Sequence, residues 1–149
     1  LGANPTPMPF SEVFTAMQQR TIDGQENPIP TIYLSKFSEV QKFVTLTGHV
    51  YGPHIFLFNK KLFDSLPAAD QKVFLEAGQE SAKFQRAMNR KMNSEQIGKL
   101  REAGMTVTEL SADQKKAFQD ACASVYTTWV PKIGQALVDE VIKTVADAK

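Results

Sequence analysis

Cysteine is almost missing from this chain: Cys122 is the single one. No internal disulfide can form, and no zinc cluster can be built on thiolates. Cys122 sits among Ala121, Ala123 and Val125 in a helical pattern, which reads as a buried, inert thiol. Such low cysteine usage is compatible with either redox compartment. The two histidines, His49 and His54, are too few for a metal site of their own and read as hydrogen-bonded residues at strand ends. An excess of charge is also lacking: the net charge is +1. The only basic runs are the pairs Lys60-Lys61 and Lys115-Lys116, which read as solvated helix faces. Nucleic acid is therefore not an expected partner. No apolar run approaches the ~20 residues of a membrane-spanning helix. No signal peptide is present, and the first residue is Leu1, which reads as a processed protein or a fragment. G-x-S-x-G, H-E-x-x-H, P-loop and G-x-G-x-x-G motifs are absent, and nothing assembles a nucleophile, a base and an orienting group. Neither an enzyme nor a bound cofactor is expected.

What is present is enough for a folded chain. Hydrophobic residues make up 42% of 149 and charged residues 22%, so the sequence can build a core. Leu1 to Met8 reads as a strand end and an extended turn. Ser11 is placed to cap a helix from Glu12 to about Arg20 with Val13, Phe14 and Met17 on one face. Thr21 to Gly24 reads as a short strand or turn. Pro28 and Pro30 should break any helix there, with the next helix at Thr31 to about Val40. Lys42 to Val50 and His54 to Asn59 read as strands, the second apolar on both alternating sets and so expected to be covered on both faces. Lys60 to Ser65 reads as a short helix.

Pro67 to about Ala103 then holds the longest helical pattern. Val73, Ala77, Ser81, Phe84, Met88 and Met92 repeat at three- and four-residue steps, with Ile97 and Leu100 continuing the stripe. At ~1.5 Å per residue this helix would run roughly 50 Å. It must outrun its own core, cross two lobes, or kink near Gly78 or Gly98. Thr106 to Leu110 reads as a strand. Ser111 with Gln114 forms a capping box opening a helix to about Trp129. Pro131 should break or kink it, and a last amphipathic helix runs from about Lys132 to the end, with Ile133, Leu137, Val141 and Val145 four apart. The expected class is α/β: short strands among many helices. The expected division is a cleft-lobe segment (1–66), the long helix (67–104) and a C-terminal strand with helices (105–149).

One polar cluster stands out. Asp23-Gly24-Gln25-Glu26-Asn27-Pro28 lies at a strand-to-loop junction between apolar helices. Its side chains either satisfy backbone groups in a turn or face a cleft. The proline biases Asn27 away from the helical region. The Asn27 amide both donates and accepts, which suits a carboxylate or a hydroxyl.

The run Leu1-Gly-Ala-Asn-Pro-Thr-Pro-Met-Pro-Phe-Ser-Glu-Val13, followed by Asp23 to Pro28, then Lys36-Phe37, Glu39 to Lys42, Thr45 to Thr47 and His49, resembles the DctP-type solute-binding proteins of tripartite ATP-independent periplasmic (TRAP) transporters. The resemblance is collinear from Leu1 to about Met92. It implies the C-terminal portion of a two-lobed periplasmic binding protein that closes on a small organic acid, with one long helix crossing both lobes. It implies the membrane permease subunits of such a transporter as partners. In the family, an arginine upstream of this region forks onto the ligand carboxylate, and an asparagine, here Asn27, assists it. The phenylalanine here at Phe10 packs on the ligand, and Tyr33 and His49 fall near pocket-lining positions. Family members are about twice as long, and Arg20, Arg86, Arg90 and Arg101 do not occupy the position of the binding arginine. The chain is thus expected to hold one wall of the cleft, to bind weakly alone, and to pair with the missing N-terminal lobe or with itself. The rival from another class is a helical scaffold that uses the long helix and no cleft.

Overall fold

A computed structural model describes residues 2–148. The chain divides into two compact units: Thr6–Thr108, and Leu1–Pro5 with Glu109–Lys149. Each is considered by itself.

In the first unit, α1 spans Phe10–Gln18. Its cap is not Ser11 but Pro9, whose carbonyl accepts from the Glu12 N–H at 2.9 Å. Proline needs no N–H there, and Glu12 in the first turn favours the positive helix end. Val13 and Met17 are buried and Phe14 packs beside them, as the spacing predicts. The helix closes with Arg20 in the left-handed region (φ 58°), while Thr21 N–H bonds the Ala16 carbonyl and Arg20 N–H the Met17 carbonyl. These paired bonds are a Schellman stop, here built on an arginine in place of glycine. Residues 21–28 follow without regular structure, so Thr21 to Gly24 is a turn.

The prolines do not exclude a helix. α2 runs Ile29–Leu34 with Pro28 as its cap and Pro30 in its first turn, where no intrahelical N–H bond is lost. The expected helix through Val40 stops early: Lys36 turns left-handed (φ 55°) and a 3₁₀ turn follows at Phe37–Glu39. That turn drives Phe37 into the core, where it is fully buried. β1 is short, Phe43–Leu46, and pairs in parallel with β2, Thr106–Glu109.

His54 to Asn59 is not a strand. Ile55, Phe56 and Leu57 are exposed, Leu57 at 81%. Among the described residues the sheet has only β1 and β2, and this segment pairs with neither. α3 forms at Lys60–Ser65 as expected, its start capped by Asn59 Oδ1 on Leu62 N–H at 2.9 Å.

α4 is the long helix, Ala68–Glu102, 35 residues unbroken by Gly78 or Gly98. It outruns its core. Val73 and Phe84 are exposed, and burial begins only near Met92, then Gln96 and Leu100. Gln96 occupies a core position that an apolar pattern cannot reveal. A second Schellman stop ends α4: Gly104 sits at φ 87°, its N–H bonds Arg101 O, and Met105 N–H bonds Leu100 O at 3.0 Å. Leu100 and Met105 enter the same cluster as Val13, Met17, Ile29, Ile32 and Phe37. Thr106 N–H then reaches Lys42 O at 2.8 Å and starts the β-ladder.

The other unit is helical: α5 Ala112–Ala121, α6 Ala123–Ile133 and α7 Gln135–Asp147. The Ser111/Gln114 capping box forms in both directions, at 2.8 and 3.2 Å. The helix expected to reach Trp129 breaks at Cys122, which is half-buried and not fully enclosed. Pro131 lies inside α6, close enough to its end that few bonds depend on it. The actual break is Gly134, at φ 104°. Leu1 and Lys149, the outer limits of the expected strand end and last helix, lie outside the described residues; residues 2–9 hold no regular element. No helix among the described residues is long and apolar enough to cross a membrane.

The burial contrast along α4 predicts two very different substitutions. Leu100→Ala, at 0% exposure, should cost about 2–5 kcal/mol. Val73→Ala, at 61% exposure, should stay within about 0.5 kcal/mol. Urea unfolding of the two variants checks this; equal losses would show that the upper part of α4 is packed.

Candidate functional site

Within the first unit, the polar 24–28 segment, the Phe37 turn and β1 enclose a groove of about 310 Å³. Gln25, Asn27, Phe37, Thr45, Thr47 and His49 line it. Thr45 lies on β1; beyond the strand the chain turns, with the Thr47 N–H on the Thr45 carbonyl at 3.0 Å and Gly48 left-handed at φ 57°, and Thr47 and His49 line the same groove. An adjoining hollow of about 370 Å³ shares Asn27, Thr45, Thr47 and His49 and extends to Asn93 and Ile97 on α4.

Two of the four expected site residues, Asn27 and His49, therefore meet in one groove. Asn27 Nδ2 donates to Gln25 Oε1 at 2.6 Å, and both side chains are partly buried. His49 Nδ1 lies 2.7 Å from Thr47 Oγ1, and its Nε2 lies 3.6 Å from Glu26 Oε2. A carboxylate oxygen facing Nε2 calls for a hydrogen there. Nδ1 is then the acceptor, and the Thr47 hydroxyl donates to it.

Phe10 and Tyr33 do not line the groove. Phe10 is 53% exposed. Its ring lies 6.1 Å from that of Phe37, which does line the groove. Tyr33 is partly buried beside the core, with Lys99 Nζ 5.4 Å from its ring centre, a cation–π contact. Gln25, Thr45, Thr47 and Asn93 are groove residues that the sequence did not single out as site residues. Alternation about Asn27 was the signal that could have found Gln25; the turn at 45–47 and the left-handed Gly48 leave no such signal for Thr45 and Thr47. No arginine or lysine lines either hollow. Among the described residues no cluster of His, Cys, Asp or Glu could hold a metal ion.

This groove on a helix-rich frame with a short parallel sheet is the architecture of one part of a solute-binding protein. A structure from a Polaromonas species, a TRAP periplasmic solute-binding protein bound to D-erythronate, superposes with a TM-score of 0.82 at 42% identity over 92% of this chain and 45% of its own. Residues 1–132 match the model of the bacterial extracellular solute-binding protein family 7, DctP, and the chain belongs to that family. A solute-binding protein of Verminephrobacter eiseniae is 47% identical over 94% of this chain and 41% of its own length. The 2,3-diketo-L-gulonate-binding periplasmic protein YiaO of Escherichia coli is 44% identical over 80% of this chain and 36% of its own length. The chain thus spans less than half the length of these relatives.

The Thr47–His49–Glu26 arrangement predicts the Nε2–H tautomer for His49. Nitrogen-15 NMR of the imidazole should report it directly. Thr47→Val removes the donor to Nδ1 and should raise the Nδ1–H population; an unchanged spectrum would remove Thr47 from this role.

Proposed function

We propose that this chain is the C-terminal part of the extracytoplasmic binding component of a TRAP transporter, a carrier and not an enzyme. It captures a small organic acid in the periplasm and delivers it to the membrane permease subunits. The observation that carries the reading is the groove where Asn27 and His49 meet Thr45 and Thr47. Amide, imidazole and hydroxyl groups suit a ligand with both a carboxylate and several hydroxyls. The relatives named for D-erythronate and for 2,3-diketo-L-gulonate are binders of polyhydroxy acids, so this is the ligand class we assign. Asn27 donates to the carboxylate. Phe10 and Tyr33, set outside the groove in the isolated chain, contribute only through a rearrangement on closure.

The groove supplies no cation of its own. A carboxylate held mainly by neutral donors binds weakly, and the strong fork-to-carboxylate contact must come from an arginine on the rest of the full-length protein. Capture then works by closure, because the ligand touches both walls only in the closed state. The same reading accounts for the exposed Ile55, Phe56 and Leu57 and the bare face of α4 at Val73 and Phe84. The N-terminal half covers them, and in its absence a second copy does so. The helical-scaffold reading draws on that same bare face but assigns no role to Asn27.

Calorimetry on a full-length chain, of the length of its relatives, should find binding of D-erythronate or diketogulonate. Asn27→Ala should weaken it roughly 10- to 150-fold, the loss of about 1.5–3 kcal/mol for a bond to a charged group, with the melting temperature unchanged. Unaltered affinity in that variant favours the scaffold. The isolated 149 residues should bind the same acids far more weakly; micromolar binding would refute the shared-wall mechanism. Sedimentation of the isolated chain should show self-association, and a purely monomeric species at all concentrations would count against the uncovered faces needing a partner.

A further inference from the structure

The groove contains a hydrogen bond that the ligand-binding reading leaves unused. Asn27 Nδ2 donates to Gln25 Oε1 at 2.6 Å, shorter than the usual N–H···O distance of about 2.9–3.0 Å. We propose that Gln25 is a positioning residue, which fixes the orientation of the Asn27 amide so that an N–H, and not the carbonyl, is presented to the anion. The inference rests on the reading that Asn27 contacts the ligand carboxylate.

Local sequence makes the pair. Pro28 keeps Asn27 out of the helical region, and residues 24–28 carry no helix. In an extended chain, side chains two apart point the same way. Gln25 and Asn27 are accordingly both half-buried, while Glu26 between them is exposed. Both line the groove.

The chemistry explains why orientation matters. A carboxylate only accepts, whereas an asparagine amide presents a donor on one side and an acceptor on the other. A half-turn of the amide would set its carbonyl against the anion and turn attraction into repulsion. No lysine or arginine lines this wall to offset that error. With Gln25 Oε1 in place, turning Asn27 alone would oppose two carbonyl oxygens. While Gln25 presents Oε1, the amide is held with its nitrogen bonded to Gln25, and the second hydrogen on that nitrogen is left for the ligand.

The test is a double-mutant cycle in the full-length chain, with D-erythronate and diketogulonate as probes in calorimetry. Gln25→Ala should weaken binding roughly 2- to 10-fold, the worth of one neutral hydrogen bond. In the Asn27→Ala background the same substitution should cost nothing further. A readout independent of ligand is the Asn27 side-chain NH₂ resonance pair in the unliganded protein. Gln25→Ala should shift it, and Gln25→Glu, which keeps an acceptor at the same reach, should hold it near its original position. Additive losses overturn the proposal, because Gln25 would then act on its own. So does an unmoved resonance, or a harmless Gln25→Ala alongside a damaging Asn27→Ala. A harmless Asn27→Ala, or a parent chain that binds neither probe, instead overturns the underlying reading and this inference with it. Should Gln25→Ala fail to fold, the Gln25→Glu resonance decides the matter, and its displacement from the original position overturns the proposal.

Discussion

The constraint on which the first unit depends is the seating of one end of α4. Leu100 is fully buried, and four residues later the chain reverses at Gly104 through a turn that only a left-handed residue permits without strain. That turn returns Met105 to the same apolar cluster and delivers Thr106 to its bond with Lys42. β1 is thereby fixed, and β1 carries Thr45 and leads into Thr47 and His49. Moving the α4 terminus would move a wall of the groove. The groove residues are thus positioned by packing at a helix end, and not by the helix's length.

That length serves something else. Seven apolar side chains form the buried cluster, and all of them lie between Val13 and Ile32, at Phe37, or at the last turn of α4 and just after it. The rest of the 35-residue helix buries no apolar side chain in this unit, although near its start the Phe74 ring lies 4.9 Å from that of Phe58 and Gln71 bonds the Leu66 carbonyl. Its helical pattern is nevertheless well formed, supported by spaced charge pairs such as Lys72–Glu76 and Lys91–Glu95, each contributing a few tenths of a kcal/mol at most. Such pairs sustain a helix but do not explain an apolar stripe. A stripe without a core on its own side is a surface shaped for cover.

This difference also explains what could be read from the sequence. Features set by neighbours in the chain were legible: α3, the span of α4, the Ser111 capping box and β2 all appear where local pattern puts them. Features set by distant chain were not. His54 to Phe58 has every residue a central strand needs, yet it pairs with neither strand of the sheet. Local backbone choices went unseen too. Pro28 and Pro30 read as breakers, yet they start α2, because a proline in the first turn forfeits no bond. Arg20 and Lys36 take left-handed conformations that no residue-type rule assigns to them. In the groove, Asn27 and His49 were legible from a motif, while Gln25 becomes visible only through its bond to Asn27 and Thr47 only through its contact with His49.

The groove itself argues for a divided site. Apart from the Glu26 carboxylate, which lines it and faces the His49 ring, its polar groups are amides, hydroxyls and an imidazole, with no lysine or arginine. Such a wall discriminates by geometry more than it attracts by charge: hydroxyls and an oriented amide reward a matching ligand and penalise one that leaves them unpaired. Attraction requires a cation, and a cation on this wall would hold an acid as tightly in the open state as in the closed one. Placing it on another lobe makes the strongest contact available only when the lobes meet. On the proposed reading, ligand binding drives closure by the difference in contacts between the two states. A half-site without lysine or arginine is what the proposed division of labour leaves on this part of the chain.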